Sequence, residues 1–199
     1  MHNHHEWHQS VNAEFLLPKL VFVTSGSHNG NIVAWANGYG YTGSNGLEAG
    51  DWVCQHFADN APATLGRVWK AWLSTSVVSA ESRLTHWSGS YVNVNGHKIA
   101  NNWDDLVDGY IIRPINTTEN PELDIQLAEL TQTGTRGTGG NIYGVQICND
   151  WTTDSSEIHT IVGSQQNVDT IFGHWTYIVQ AWEDQPPCSS NLHVYCFEQ

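Results

Sequence analysis

The sequence predicts a mixed α+β fold with long loops, from three observations. One helical apolar pattern lies early, at 47–60. Short β-branched or alternating runs stand at 19–24, 68–73, 91–100 and 193–197. Neither a βαβα alternation nor a G-x-G-x-x-G motif points to a nucleotide-binding parallel sheet. The length, 199 residues, is that of one domain, and such a chain buries roughly 70% of its unfolded surface, enough for a core without a metal.

Residues 1–18 read as a polar, His-rich arm closed by Pro18, and the domain spans 19–199. Lys19 to Thr24 is apolar and β-branched, hence a strand. Ser25 to Ser44 is rich in Gly, Asn and Ser and reads as a long loop. Leu47 to Asn60 reads as a helix, with Leu47, Trp52 (or Asp51), Cys54, Phe57 and Ala58 at helical spacing. Glu48 and Asp51 suit its positive end and Pro62 ends it. Val68 to Leu73 alternates around Lys70 as a buried strand, and Ser79 caps a helical turn at 79–84. Asn95-Gly96 between two alternating runs predicts a two-residue type I′ hairpin over 91–100. Asn102 caps a short helix carrying Trp103 and Leu106, which Gly109 stops. Residues 114–141 are rich in Thr, Gly and Asn, with 123–130 a short helix or strand. Beyond Gly163, loops alternate with apolar runs at 177–179 and 193–197, the last a strand.

The formal net charge is −13. The basic residues Lys19, Arg67, Lys70, Arg83, Lys98, Arg113 and Arg136 are scattered and make no patch, which argues against nucleic acid, heparin and anionic lipid as partners. No stretch reaches the roughly 18 apolar residues of a membrane span, so no membrane insertion is expected. The start, Met1-His2-Asn3-His4-His5-Glu6, lacks the basic and apolar regions of a signal peptide, so the chain reads as a mature or partial form, or else as one that is not exported.

Four cysteines, Cys54, Cys148, Cys188 and Cys196, include no C-x-x-C pair. An even number with two near the end suits disulfides in an oxidising compartment, hence a secreted or cell-surface protein; buried free thiols are the alternative. From the cysteines alone three pairings are open. No Gly-x-Ser-x-Gly, His-Glu-x-x-His or P-loop is present, and oxidised cysteines are not nucleophiles, so no enzyme activity is expected.

Several ordered segments carry a family likeness. Trp69-Lys70-Ala71-Trp72-Leu73-Ser74, Arg83-Leu84, Val92-Asn93-Val94, Trp103 with Leu106, Thr133-Gly134-Thr135, Cys148-x-x-Trp151 and the closing Cys188…Val194-Tyr195-Cys196-x-Glu198 resemble the endostatin domain of collagens. Val23-Thr24-Ser25, Ser82-Arg83-Leu84-Thr85-His86, Ile99 to Gly109, Pro114-Ile115-Asn116 and Tyr195 to Gln199 resemble, more closely still, an uncharacterised family of bacterial exported proteins and lipoproteins. The resemblance implies a C-type-lectin-like (endostatin-like) fold with two nested disulfides, Cys54–Cys196 and Cys148–Cys188. It implies non-catalytic recognition of a glycan or a protein through the long loops, or else a self-associating structural or adhesive surface component.

Two metal sites come with the same resemblance. The start His2-Asn3-His4-His5-Glu6-Trp7 is similar to the zinc-binding start of endostatin. The positions of the other two ligands hold Lys19 and Gly96, which leaves His2 and His4, fewer than the three or four ligands zinc takes. For lectin-type calcium the oxygen donors are Asn116, Glu119, Asn149 and Asp150, though Glu119-Asn120-Pro121-Glu122 departs from the Glu-Pro-Asn pattern. No other cofactor is implied.

Of the ten tryptophans, Trp69, Trp72, Trp103 and Trp151 match family positions and read as core, whereas Trp7, Trp35, Trp87, Trp175 and Trp182 stand in loop-like context. The expected binding surface is the loop-rich half, with Trp35 and Trp175 as stacking faces and Asn116, Glu119, Asn149 and Asp150 as oxygen donors. That mix suits a neutral polyol or a mildly basic protein and disfavours sulfated sugars.

Overall fold

A computed structural model describes residues 16–122, 130–142, 147–166, 168, 175–178 and 185–199. His2, His4, Trp7, Trp182 and the run 123–129 lie outside the described residues. In chain order the elements are β1 (Lys19–Val23), α1 (Ile32–Asn37), α2 (Gly46–Asp59), β2 (Trp69–Ala71), α3 (Ala80–Arg83), β3 (Tyr91–Asn93), β4 (Lys98–Ala100), α4 (Trp103–Leu106), β5 (Leu130–Gln132), α5 (Cys148–Trp151), β6 (Val162–Ser164) and β7 (His193–Glu198). The fold is mixed α+β around one curled sheet of order β4-β3-β1-β7-β5-β6, with β2 also on β7.

β7 organises that sheet. It runs antiparallel to β1 (Phe22↔Cys196) and to β2 (Ala71↔Cys196), and parallel to β5 (Thr131↔His193). Because side chains alternate along a strand, its residues feed two cores on opposite faces. Val194 and Cys196 join Phe22, Trp69 and Ala71 in a cluster under α1 and α2. Tyr195 and Phe197 join Val21, Val23, Trp72, Leu106 and Trp175 in the other. Both faces are covered, which is why 193–197 is buried throughout.

α2 is capped by Asn45, whose Oδ1 accepts from Leu47 N at 2.9 Å and Glu48 N at 3.2 Å. It rides close on β2: a Cβ at Gly50 would lie 2.6 Å from Leu73 Cδ1. Its side chains also close the edge of β2. Gln55 Oε1 accepts from Trp69 N at 3.0 Å and Asp51 Oδ1 from Ala71 N at 2.9 Å. Arg83 donates to the Ala71 carbonyl at 2.7 Å and to Asp51 Oδ2 at 2.6 Å. An edge whose polar groups are taken this way offers no template for another strand.

The disulfides are Cys54–Cys196 and Cys148–Cys188, each with Cα atoms 5.5 Å apart, the pairing implied by the resemblance. The first ties α2 to β7 across 142 residues; chain entropy assigns it roughly 5 kcal/mol and the 40-residue closure about 4 kcal/mol. Among the described residues no helix is long and apolar enough to cross a membrane.

Two expectations are corrected. The Ser25–Ser44 loop contains α1: Ile32, Trp35 and Ala36 turn inward at helical spacing, and the Asn31 side chain accepts from Ala34 N at 3.0 Å. The 91–100 hairpin is not type I′, since Gly96 (φ 79°) has positive φ and Asn95 does not. Asn93 Oδ1 accepts from both Asn95 N and His97 N, which favours a three-residue loop ending in left-handed glycine. In the apolar run at 177–178, Ile178 N donates to the Val162 carbonyl at 2.9 Å, a bond onto β6.

β7 also carries a buried histidine. His193 is 5% exposed, its Nδ1 donates to the Thr24 carbonyl at 2.7 Å, and burial lowers its pKa. The unfolded chain therefore binds this proton more readily than the native one. The stability is full above the unfolded value of about 6.5 and falls as the pH drops below it. Glu119 and Asp51 have the opposite sign: burial raises both carboxyls, and the stability they contribute is full below their unfolded values and lost as pH rises through the raised ones. Melting between pH 7 and 5 should show a destabilising slope that is smaller in His193→Gln. Equal slopes would contradict the assignment.

Candidate functional site

The loop face expected to bind ligand is built differently from its sequence reading. Trp35 is 6% exposed, stacked on His28 at 5.6 Å and edge-on to Phe57 at 5.8 Å, with Nε1 donating to Tyr39 OH at 3.2 Å. Trp175 is fully buried against Trp72 at 5.0 Å and Tyr195 at 6.0 Å. Gly163 admits it: a Cβ there would lie 2.0 Å from the Trp175 carbonyl oxygen. Neither indole presents a face to solvent, so their expected role as stacking platforms is corrected to a core role.

The oxygen donors are dispersed. Asn116 is exposed. Glu119 is buried, and its carboxylate accepts from both the amide (3.0 Å) and the hydroxyl of Ser25, so it clamps the turn after β1. Asp150 accepts from Ser76 N at 2.8 Å and Ser76 Oγ at 3.0 Å. Both carboxylates are engaged on different turns. Among the described residues no group of three or more His, Cys, Asp and Glu is placed to hold a metal ion.

Asn149 and Asp150 lie in an unusual turn. Cys148, Asn149, Asp150 and Trp151 have φ of 44°, 51°, 54° and 71°, so α5 is a left-handed turn of non-glycine residues. Left-handed helix costs roughly 1–2 kcal/mol per L-residue. The surroundings hold it: the Cys148–Cys188 bond at one end, Trp151 Nε1 donating to the Ser74 carbonyl at 2.9 Å, and the Asp150–Ser76 pair. Gly46 makes room for it, since a Cβ there would lie 2.1 Å from the Asp150 carbonyl oxygen.

Open concave surface lies instead around Trp87. This half-buried residue is fixed through its backbone: its N donates to Tyr91 OH at 3.1 Å and its carbonyl accepts from Trp103 N at 2.9 Å. On one side is a cleft of about 230 Å³ lined by His86, Trp87, Ser88, Asn102, Trp103 and Asp104. His86 lies flat on Trp103, ring centroids 4.1 Å apart at 9°, with Nε2 2.8 Å from the Glu81 carbonyl. His86 is exposed. Asn102 spends Oδ1 on capping α4, through Asp105 N at 2.9 Å. The Asn102 amide nitrogen, the Ser88 hydroxyl and the exposed Asp104 carboxylate remain to face a ligand. On the other side is a cleft of about 450 Å³ that includes Leu16, Leu17, Lys19 and Arg67, with Lys19 Nζ 5.1 Å above the Trp87 ring. Arg67 is held there by Glu198 at 2.7 Å.

Sequence reasoning placed Trp87 with the loop tryptophans but gave it no site. His86, Ser88, Asn102 and Asp104 come together only through the β3–β4 hairpin and the α4 cap, and no local spacing signals that.

No family model matches the chain, and no curated protein is significantly similar to it in sequence.

Two outcomes test these placements. Trp35→Ala and Trp175→Ala should each lower unfolding free energy by roughly 3–5 kcal/mol, the usual loss for a buried indole, in urea denaturation. Full stability in either would return that ring to the surface. Asn149→Gly should stabilise by about 1 kcal/mol and Asn149→Val should destabilise by a similar amount or more, because only the glycine relieves the left-handed strain.

Proposed function

We propose that the chain is a non-catalytic extracellular recognition module of C-type-lectin-like, endostatin-like architecture, and that it binds a hydroxyl-rich glycan in the cleft beside Trp87. Two nested disulfides in the pairing that the resemblance implies support the architecture. The disulfides are compatible with an oxidising, secreted or cell-surface setting.

The observation that carries the ligand class is the Trp87 cleft itself. It pairs aromatic surface with unengaged amide, hydroxyl and carboxylate groups. The apolar C–H face of a sugar rests on such rings, and its hydroxyls satisfy such groups. Asp104 accepts hydrogen bonds without demanding a charge from the ligand. The net charge of −13 works against sulfated or otherwise anionic chains.

A glycan array, run with and without calcium, should retain neutral glycans in both conditions. Asp104→Ala is an exposed change that leaves the cores untouched and should cost about tenfold in affinity, the order of one charge-assisted hydrogen bond, at an unchanged melting temperature. His86→Ala removes the ring stacked on Trp103 and should weaken binding as well. Absence of any retained glycan, or full affinity in both variants, would contradict the reading.

A further inference from the structure

The outer face of α2 carries a separate cleft, independent of the glycan reading. Trp52, Gln55, His56 and Asp59 stand at i, i+3, i+4 and i+7, so they leave the helix on one side, away from Gly50, Val53 and Cys54, which meet the sheet. Tyr39, from the turn after α1, lies flat on His56 with centroids 3.8 Å apart at 9°. Trp52 is 44% exposed yet fixed: its Nε1 donates to the Tyr39 carbonyl at 3.0 Å, and Tyr41 packs beside it at 5.9 Å. Together Tyr39, Trp52, Gln55, His56 and Asp59 enclose about 180 Å³.

Gln55 and the Trp52 N–H in this cleft are already committed. Gln55 Nε2 donates to Asp59 Oδ1 at 2.8 Å and to the Arg67 carbonyl at 2.9 Å, while its Oε1 accepts from Trp69 N. The indole N–H of Trp52 is spent on Tyr39. Few donors remain to read hydroxyls, which separates this cleft from the one at Trp87. What remains is the π-face of Trp52, the outer faces of the Tyr39–His56 stack, the His56 ring nitrogens and the exposed carboxylate of Asp59, with no lysine or arginine side chain lining the cleft. Ring faces are electron-rich and attract a cation within about 6 Å of their centroid, tryptophan most strongly. The net charge of −13 concentrates cations at the surface.

We propose that this cleft binds an alkylammonium head group, seated on the Trp52 indole with Asp59 as its counter-charge. A free quaternary amine and a lysine side chain of a basic partner share this chemistry, and the test separates them. The indole N–H signal of Trp52 is followed in nitrogen–proton correlation spectra of the full chain, assigned by its loss in Trp52→Phe. The probes are choline with its neutral isostere 3,3-dimethylbutan-1-ol, and N-acetyl-lysine methylamide with its norleucine counterpart.

Choline, the lysine compound or both should bind at least about tenfold more tightly than the neutral match, and the stronger of the two identifies the source. By calorimetry, Trp52→Leu should lose about tenfold in affinity for that cation, whereas Trp52→Phe, which keeps a ring, should lose less. Asp59→Asn should weaken binding and reduce its salt dependence. Equal binding of the neutral compounds, no response to either cation, or full affinity in Trp52→Leu would overturn the proposal.

Discussion

The domain depends on its last strand finding the middle of the sheet. β7 bonds to β1 on one edge and to β2 and β5 on the other, and its alternating side chains complete both cores. Until it is in place, β1 and β2 have no common partner and neither core can close. Cys54–Cys196 makes that placement covalent, joining the strand to α2 from the first half of the chain. Pairings this distant in sequence are costly to form, since loop-closure entropy is lost before contacts repay it.

From that constraint follows how the surface is presented. The inner stripe of α2 is fixed by the disulfide, by Gly50 against Leu73 and by the Asp51–Arg83 pair, so its outer stripe is held rigidly outward. The Trp87 cleft is rigid for a different reason. Tyr91 is buried, its hydroxyl pushed up to about 12, and that hydroxyl accepts from Trp87 N while donating to the Thr85 carbonyl. Both clefts thus sit on framework rather than on free loops, which lowers the ordering cost of binding. The left-handed turn at Cys148–Trp151 is strain carried by the same frame.

The sequence was most informative where local chemistry decides the outcome. Ser79 and Asn102 cap their helices because short polar side chains satisfy free amides there, whatever the tertiary context. The apolar run at 193–197 announced a strand. Legibility failed where tertiary contacts override composition. Glycine-rich flanks hid α1, and Asn93 outcompeted the Asn95-Gly96 signal through its own side-chain bonds. Trp35 and Trp175 looked like loop residues, yet Gly163 and the inward stripe of α1 draw them into the cores. Trp52 was absorbed into the apolar spacing of its helix, although Trp52, Gln55, His56 and Asp59 form an outward stripe readable at the same period. The grouping around Trp87 depends on elements distant in sequence and had no local signature.

Hydrogen exchange by mass spectrometry tests the role of β7 most directly. In the intact protein, peptides covering 193–198, 19–23 and 46–59 should be the slowest to exchange and should exchange together, through global unfolding. In a Cys54→Ala/Cys196→Ala double variant all three should lose protection in concert. If 193–198 exchanged as fast as the 25–31 segment while 46–59 stayed protected, or if the double variant kept all three slow, the last strand would not be what holds this domain and its two clefts in place.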